Sequence, residues 1–181
     1  MDYPLDEWVG IEETRFERYR NWRTTKGYLC GTTASAVLLA YYQDYLDEKI
    51  VPRFLRRKNS GNGQVFLAFL QLLIQPVDLP TLAPQVSHGL SRYFNHFDLP
   101  YRGRSTLTGG WYRAVKRIKA GKPVVIGLMK AKGSTYGNHW VTAYAFKETS
   151  DGQRYFKVHD NWGKTNQVIP AHWINGTVSL P

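Results

Sequence analysis

Apolar positions recur at helical spacing over the first two thirds of the chain and at strand-like spacing over the last third. Residues 11–22 pattern as a short amphipathic helix. From Cys30 a stripe runs through Ala34, Leu38, Tyr41 or Tyr42, and Tyr45, in steps of three and four that put one face of a helix over residues 30–47 against a core. Asn59-Ser60-Gly61-Asn62-Gly63 breaks the pattern. Gln64 to Ile74 is apolar nearly all round, which predicts a buried helix. Pro76, Pro80 and Pro84 punctuate the next stretch, and helices are predicted over 85–97 and 109–120. Lys122 to Met129 reads as a fully buried strand. Two strand candidates, His139–Phe146 and Arg154–Asp160, flank the turn signal Thr149-Ser150-Asp151-Gly152, and so predict an antiparallel hairpin centred near residue 150. Val168-Ile169 and Thr177–Leu180 add short strands. Helices first and an antiparallel sheet afterwards predict an α+β fold, with residues 1–181 as a single domain.

Charge changes this picture in one place. Residues 1–50 carry 6 Lys and Arg against 9 Asp and Glu, residues 51–132 carry 14 against 2, and residues 133–181 carry 4 against 3. Nearly all of the net +10 therefore lies in the middle segment, which includes Arg53, Arg56, Arg57, Lys58, Arg102, Arg104, Arg113, Lys116, Arg117, Lys119 and Lys122. Such a segment is either a solubilising cationic face or a surface for an acidic partner. No nucleic-acid-binding motif accompanies it, so nucleic acid is not favoured. The longest apolar stretch, Val65 to Ile74, is too short to span a bilayer. The acidic start lacks an apolar signal core, so a cytoplasmic protein is the default expectation, and a mature secreted form has the same appearance.

The chemistry centres on Cys30, the only cysteine. It stands at the first turn of the predicted helix, where unpaired N–H groups and the helix dipole favour a thiolate. Of five histidines, His139 has the best context, because the hairpin returns Asp160 and Asn161 to its side at one end of the sheet. Cys30, His139 and Asp160 then stand as nucleophile, base and orienter. His159 should point to the opposite face of the sheet. His172, following Pro170 in a loop, is an alternative base. His88 and His96 lie eight residues apart, about 12 Å along a helix, too far for one metal ion. No metal and no cofactor are expected.

Cys30-Gly31-Thr32-Thr33-Ala34 with its apolar helix resembles the nucleophile segment of bacterial cysteine peptidases similar to the bacteriocin leader-processing peptidases, within the papain-like superfamily. Gly137-Asn138-His139-Trp140-Val141 resembles their histidine strand, and Asp160-Asn161-Trp162-Gly163 resembles the papain-type Asn-x-Trp-Gly segment. The resemblance spans residues 21–163. It implies a papain-like fold in which the N-terminal helix carrying the nucleophile packs against a C-terminal antiparallel sheet. It also implies that Trp162 covers the His–Asp pair from water. Thr32 replaces the usual proline. The glutamine that completes the oxyanion hole five or six residues before the nucleophile is replaced by Thr25 and Thr24, with Asn21 the nearest upstream amide. Losing one such donor costs about a hundred- to thousandfold in turnover.

The sequence thus reads as a thiol-dependent peptidase or amide hydrolase that works through a thioester, acting on a peptide or protein, with an acidic substrate one option. An acyltransferase with the same triad is a close variant. The rival is a non-catalytic peptidase-fold module that binds an acidic partner through residues 51–132.

Overall fold

The computed structural model describes residues 2–108 and 110–181. In chain order the elements are β1 (Val9–Gly10), a 3-10 helix (Glu13–Tyr19), α1 (Cys30–Tyr45), α2 (Gln64–Ile74), α3 (Ala83–His96), β2 (Arg104–Thr106) and α4 (Trp111–Lys119). β3 (Val124–Leu128), β4 (His139–Glu148), β5 (Arg154–His159), β6 (Gln167–Pro170) and β7 (Ile174–Ser179) follow. The expected helix start at residue 109 lies outside the described residues. Among those described, seven strands form one antiparallel sheet in the order β2-β7-β3-β4-β5-β6, with β1 paired to β4. The class is α+β.

Strand alternation assigns the two faces of the sheet. Trp140, Tyr144, Val125 and Val178 join a core with α1, α2, α3 and the 3-10 helix. Val141, Val124, Ile126, Phe156 and Val158 join a second core under α4. The α1 register is locked from the sheet, because the Thr142 hydroxyl donates to the Ala34 carbonyl at 2.9 Å. The hairpin forms as its pattern predicts, with Phe146 opposite Phe156 and Thr142 opposite His159, and a bulge between Ala143 and Ala145.

Four expectations change. The segment at 11–22 is a 3-10 helix over Glu13–Tyr19 that buries Phe16 and Tyr19. α2 is not buried all round: Phe66, Leu70 and Ile74 face the core while Val65 and Leu72 are exposed. β1 and β2 carry no sequence signal, since two or three residues are too few for a period to show. Finally, Arg56 is not part of a cationic surface. Its guanidinium is buried in a two-pronged contact with Asp44, at 2.8 Å on each prong, and the same carboxylate accepts from the Tyr19 hydroxyl at 2.7 Å. This network ties the 50s loop to α1.

Candidate active site

Cys30 opens α1, and the loop before it is held from outside the helix. The Gln75 side-chain amide donates to the carbonyls of Tyr28 and Leu79, each at 2.6 Å, and the Tyr28 N–H donates to Asp78 at 2.9 Å. Gly31 is required by close approach. A Cβ there would lie 2.6 Å from the Thr81 hydroxyl oxygen and 3.3 Å from the Trp140 ring. Cys30 can therefore sit against β4 only if a glycine follows it.

His139 is the first residue of β4, opposite Leu128 of β3. It is buried, and it borders the same cavity as Cys30. This cavity, of about 460 Å³, is walled by Leu82, Leu107, Leu128, Met129 and Trp140, and among the described residues no Lys, Arg, Asp or Glu lines it. The Thr81 hydroxyl borders it, buried and without a hydrogen-bond partner among the described residues.

Asp160 follows the end of β5 and meets His139 in an unexpected way. The His139 Nε2 lies 2.8 Å from the Asp160 main-chain carbonyl, so Nε2 carries the proton and donates it. The Asp160 carboxylate is engaged elsewhere. One oxygen accepts the N–H groups of Trp162 (2.8 Å) and Lys164 (3.0 Å), and the other accepts the Tyr136 hydroxyl (3.1 Å). The physical reason is the tight turn beginning at Asp160, whose N–H donates to the Lys164 carbonyl at 3.0 Å; the carboxylate caps that turn.

Two aromatic side chains gather at the imidazole. Tyr136 lies parallel to it, 5.6 Å between centroids at 10°. Trp162 is 4.5 Å from it at 40°, with its own outer surface half exposed. Tyr136 carries no periodic signal in the sequence, and only its nearness to His139 could have suggested it.

Asn161 is fully buried with φ +47, a conformation that asparagine tolerates. Its side-chain amide donates to the Trp140 carbonyl at 2.7 Å, and its N–H donates to His159 Nδ1 at 3.2 Å. Thr24 is bonded to Asn161. Asn21 and Thr25 line a different cavity, of about 260 Å³ beside α2, which Cys30 does not border. Gln43, the first glutamine, is buried on the carbonyls of Val51 and Arg56. His159 lies on the α1 side of the sheet, with Nε2 2.8 Å from the Tyr19 carbonyl. His172 is exposed in a 3-10 turn and does not border the cavity of Cys30.

Burial pushes the Cys30 thiol up, against the opposing pull of the backbone N–H groups of Trp140, Gly31 and Cys30 itself. This reverses the lowered value expected from the helix terminus: desolvation outweighs the dipole. Burial likewise pushes His139 down, partly countered by the bond to Asp160 and its charge. Both shifts favour the uncharged form of each group.

A profile of the Peptidase_C39 like family matches residues 14–175. The chain belongs to this family. As a Peptidase_C39 like protein it has the element order expected from its sequence, with the cysteine on the first long helix and the histidine on the sheet. Solved structures that resemble it include a recombinant stem bromelain precursor (TM-score 0.39, 11% identity, 98% of this chain and 74% of that one). Another is the proform of the Amb a 11 cysteine protease, a major ragweed pollen allergen (TM-score 0.39, 13% identity). The chain spans 66% of the length of that second protein, over 99% of its own. No curated protein matches the chain. Among the described residues, no helix is long and apolar enough to cross a membrane and no cluster of His, Cys, Asp or Glu could hold a metal ion.

Proposed function

We propose that this Peptidase_C39 like protein is a thiol-dependent peptidase, with Cys30 as nucleophile, His139 as general base and Asp160 as the residue that orients the imidazole. The observation that carries the reading is that Cys30 and His139 border one cavity while His139 Nε2 is tied to Asp160. With Nε2 so engaged, Nδ1 is the nitrogen left to take a proton. In this scheme the Cys30 sulfur bonds to the carbonyl carbon of the scissile amide as His139 accepts the thiol proton. His139 then returns that proton to the departing amine. Water, deprotonated by the same imidazole, cleaves the thioester and restores the thiol.

No side-chain amide takes the place of the missing glutamine within the 21–25 stretch. The oxyanion role falls to the main-chain N–H groups that open α1, which have no partner within the helix. The wall of the cavity favours a bulky apolar side chain beside the scissile bond over an acidic one, since among the described residues no basic one lines it. Residues 1–181 serve in this reading as one domain.

The test is labelling by a peptidyl electrophile together with hydrolysis of fluorogenic peptides bearing Leu or Glu beside the scissile bond. The peptidase reading expects labelling of Cys30 that is lost in His139→Ala, and turnover of the Leu peptide above the Glu peptide. Absence of both labelling and turnover would return the chain to the non-catalytic module that binds an acidic partner.

A further inference from the structure

Asp160 reaches the imidazole through its main-chain carbonyl, so its carboxylate is free for other work. That carboxylate is fully engaged: two turn N–H groups on one oxygen and the Tyr136 hydroxyl on the other. Tyr136 in turn lies flat against the His139 ring. The two residues are only three apart in sequence. Gly137, between them, has φ +72, in the left-handed region that favours glycine. Its N–H donates to the Ser134 carbonyl at 3.2 Å and closes a turn in which Tyr136 is the third residue. Tyr136 also packs against the core under α4.

From this geometry we infer that Tyr136 is a positioning residue for His139, acting through its hydroxyl bond to Asp160. A hydrogen bond to a carboxylate is stronger and more directional than one between neutral groups. Here it fixes the rotation of the Tyr136 ring, and the ring in turn forms one wall of the imidazole's slot. Trp162, at 5.0 Å from Tyr136 and 4.5 Å from His139, closes the cluster. With its face held, the imidazole keeps Nε2 on the Asp160 carbonyl and Nδ1 free. Without it, the ring can turn about its bond to Cβ, which swings Nε2 off the Asp160 carbonyl and leaves neither nitrogen fixed as the protonated one. Burial, then the charge and bond of Asp160, push the Tyr136 phenol well above its ordinary range, so it remains a donor throughout the working range of a peptidase.

The inference deepens the reading of His139 as the base and rests on it for its catalytic meaning, but not for its geometry. The experiment compares wild type, Tyr136→Phe, Asp160→Ala and the double variant by ¹⁵N imidazole NMR of His139 and by hydrolysis of a fluorogenic Leu peptide. Wild type should show a single Nε2–H tautomer. Tyr136→Phe should show mixed tautomers, and kcat should fall about tenfold, the worth of one hydrogen bond to a charged group. KM should hold, because the hydroxyl does not border the substrate cavity. Adding Tyr136→Phe to Asp160→Ala should change the NMR no further, since the hydroxyl then has no carboxylate to lose.

A wild-type tautomer in Tyr136→Phe overturns the inference, as does an effect of the same size in both backgrounds. If Asp160→Ala does not fold, the single variant decides alone. The NMR needs no substrate. Loss of the tautomer without any wild-type hydrolysis would thus defeat the peptidase reading and leave the Tyr136 clamp standing. Hydrolysis with an unchanged spectrum would do the reverse.

Discussion

Thr24 and Asn161, 137 residues apart, are joined twice. The Thr24 N–H donates to the Asn161 carbonyl at 2.8 Å, and the Thr24 hydroxyl donates to the Asn161 side-chain oxygen at 2.6 Å. Through Asn161 the segment that leads to Cys30 is fastened to the carbonyl of Trp140, the residue after His139. Nucleophile and base are thereby held from a common point. Asn161→Ala leaves the Trp140 carbonyl and the Thr24 hydroxyl without that partner and keeps a positive φ that alanine resists. A loss of about 3 kcal/mol is expected. Urea unfolding should show it as a lower midpoint with an unchanged slope, and Thr24→Val should cost less.

Acid should destabilise the protein through its buried histidines. Burial pushes His159 below the ordinary imidazole value of 6.5, against the bond to the Tyr19 carbonyl and the charge of Asp160, and His139 is pushed the same way. The unfolded chain therefore binds these protons at higher pH than the folded one. Their contribution is complete above about pH 6.5 and is lost as pH falls from there through the folded values. For His159, protonation also breaks the bond that Nδ1 accepts from the Asn161 N–H. Thermal melts from pH 8 to pH 4 should fall below pH 6.5, with a smaller fall in His159→Gln.

The thiol should not behave as half of an ion pair. Burial raises Cys30 and lowers His139, so a thiolate plateau below neutral pH is not expected in the rate of iodoacetamide alkylation. Peptide hydrolysis needs neutral imidazole, and its acid limb should lie below 6.5, the ordinary histidine value. An alkylation plateau at pH 5 would contradict the neutral pair.

Charge reversal within the basic segment should split into two classes. Arg56→Glu buries a second carboxylate against Asp44 and should cost at least the 3–5 kcal/mol or so of a broken buried pair. Arg57→Glu and Lys58→Glu change exposed residues, and Lys58 makes only a surface contact with Glu48 at 3.3 Å, so stability should hold within about 0.5 kcal/mol. Urea midpoints of the three variants distinguish buried from exposed positions directly.

The sequence by itself determined the class of the fold, the helix that starts at Cys30 and the hairpin that carries His139 back toward Asp160. Each of these is encoded by periodicity or turn chemistry within some twenty residues, a range over which backbone geometry fixes which side chains share a face. Tertiary structure decided the rest. It placed Arg56 in the interior although its neighbours Arg57 and Lys58 look the same in sequence, because Asp44 and Gln43 on α1 and the Ser60 carbonyl all accept from the buried guanidinium. It gave His139 the carbonyl of Asp160 in place of the carboxylate, because the turn after β5 claimed the carboxylate first. And it raised the thiol that a helix terminus would have lowered. Desolvation sums over every segment that closes around a group, and those segments meet only in the folded chain.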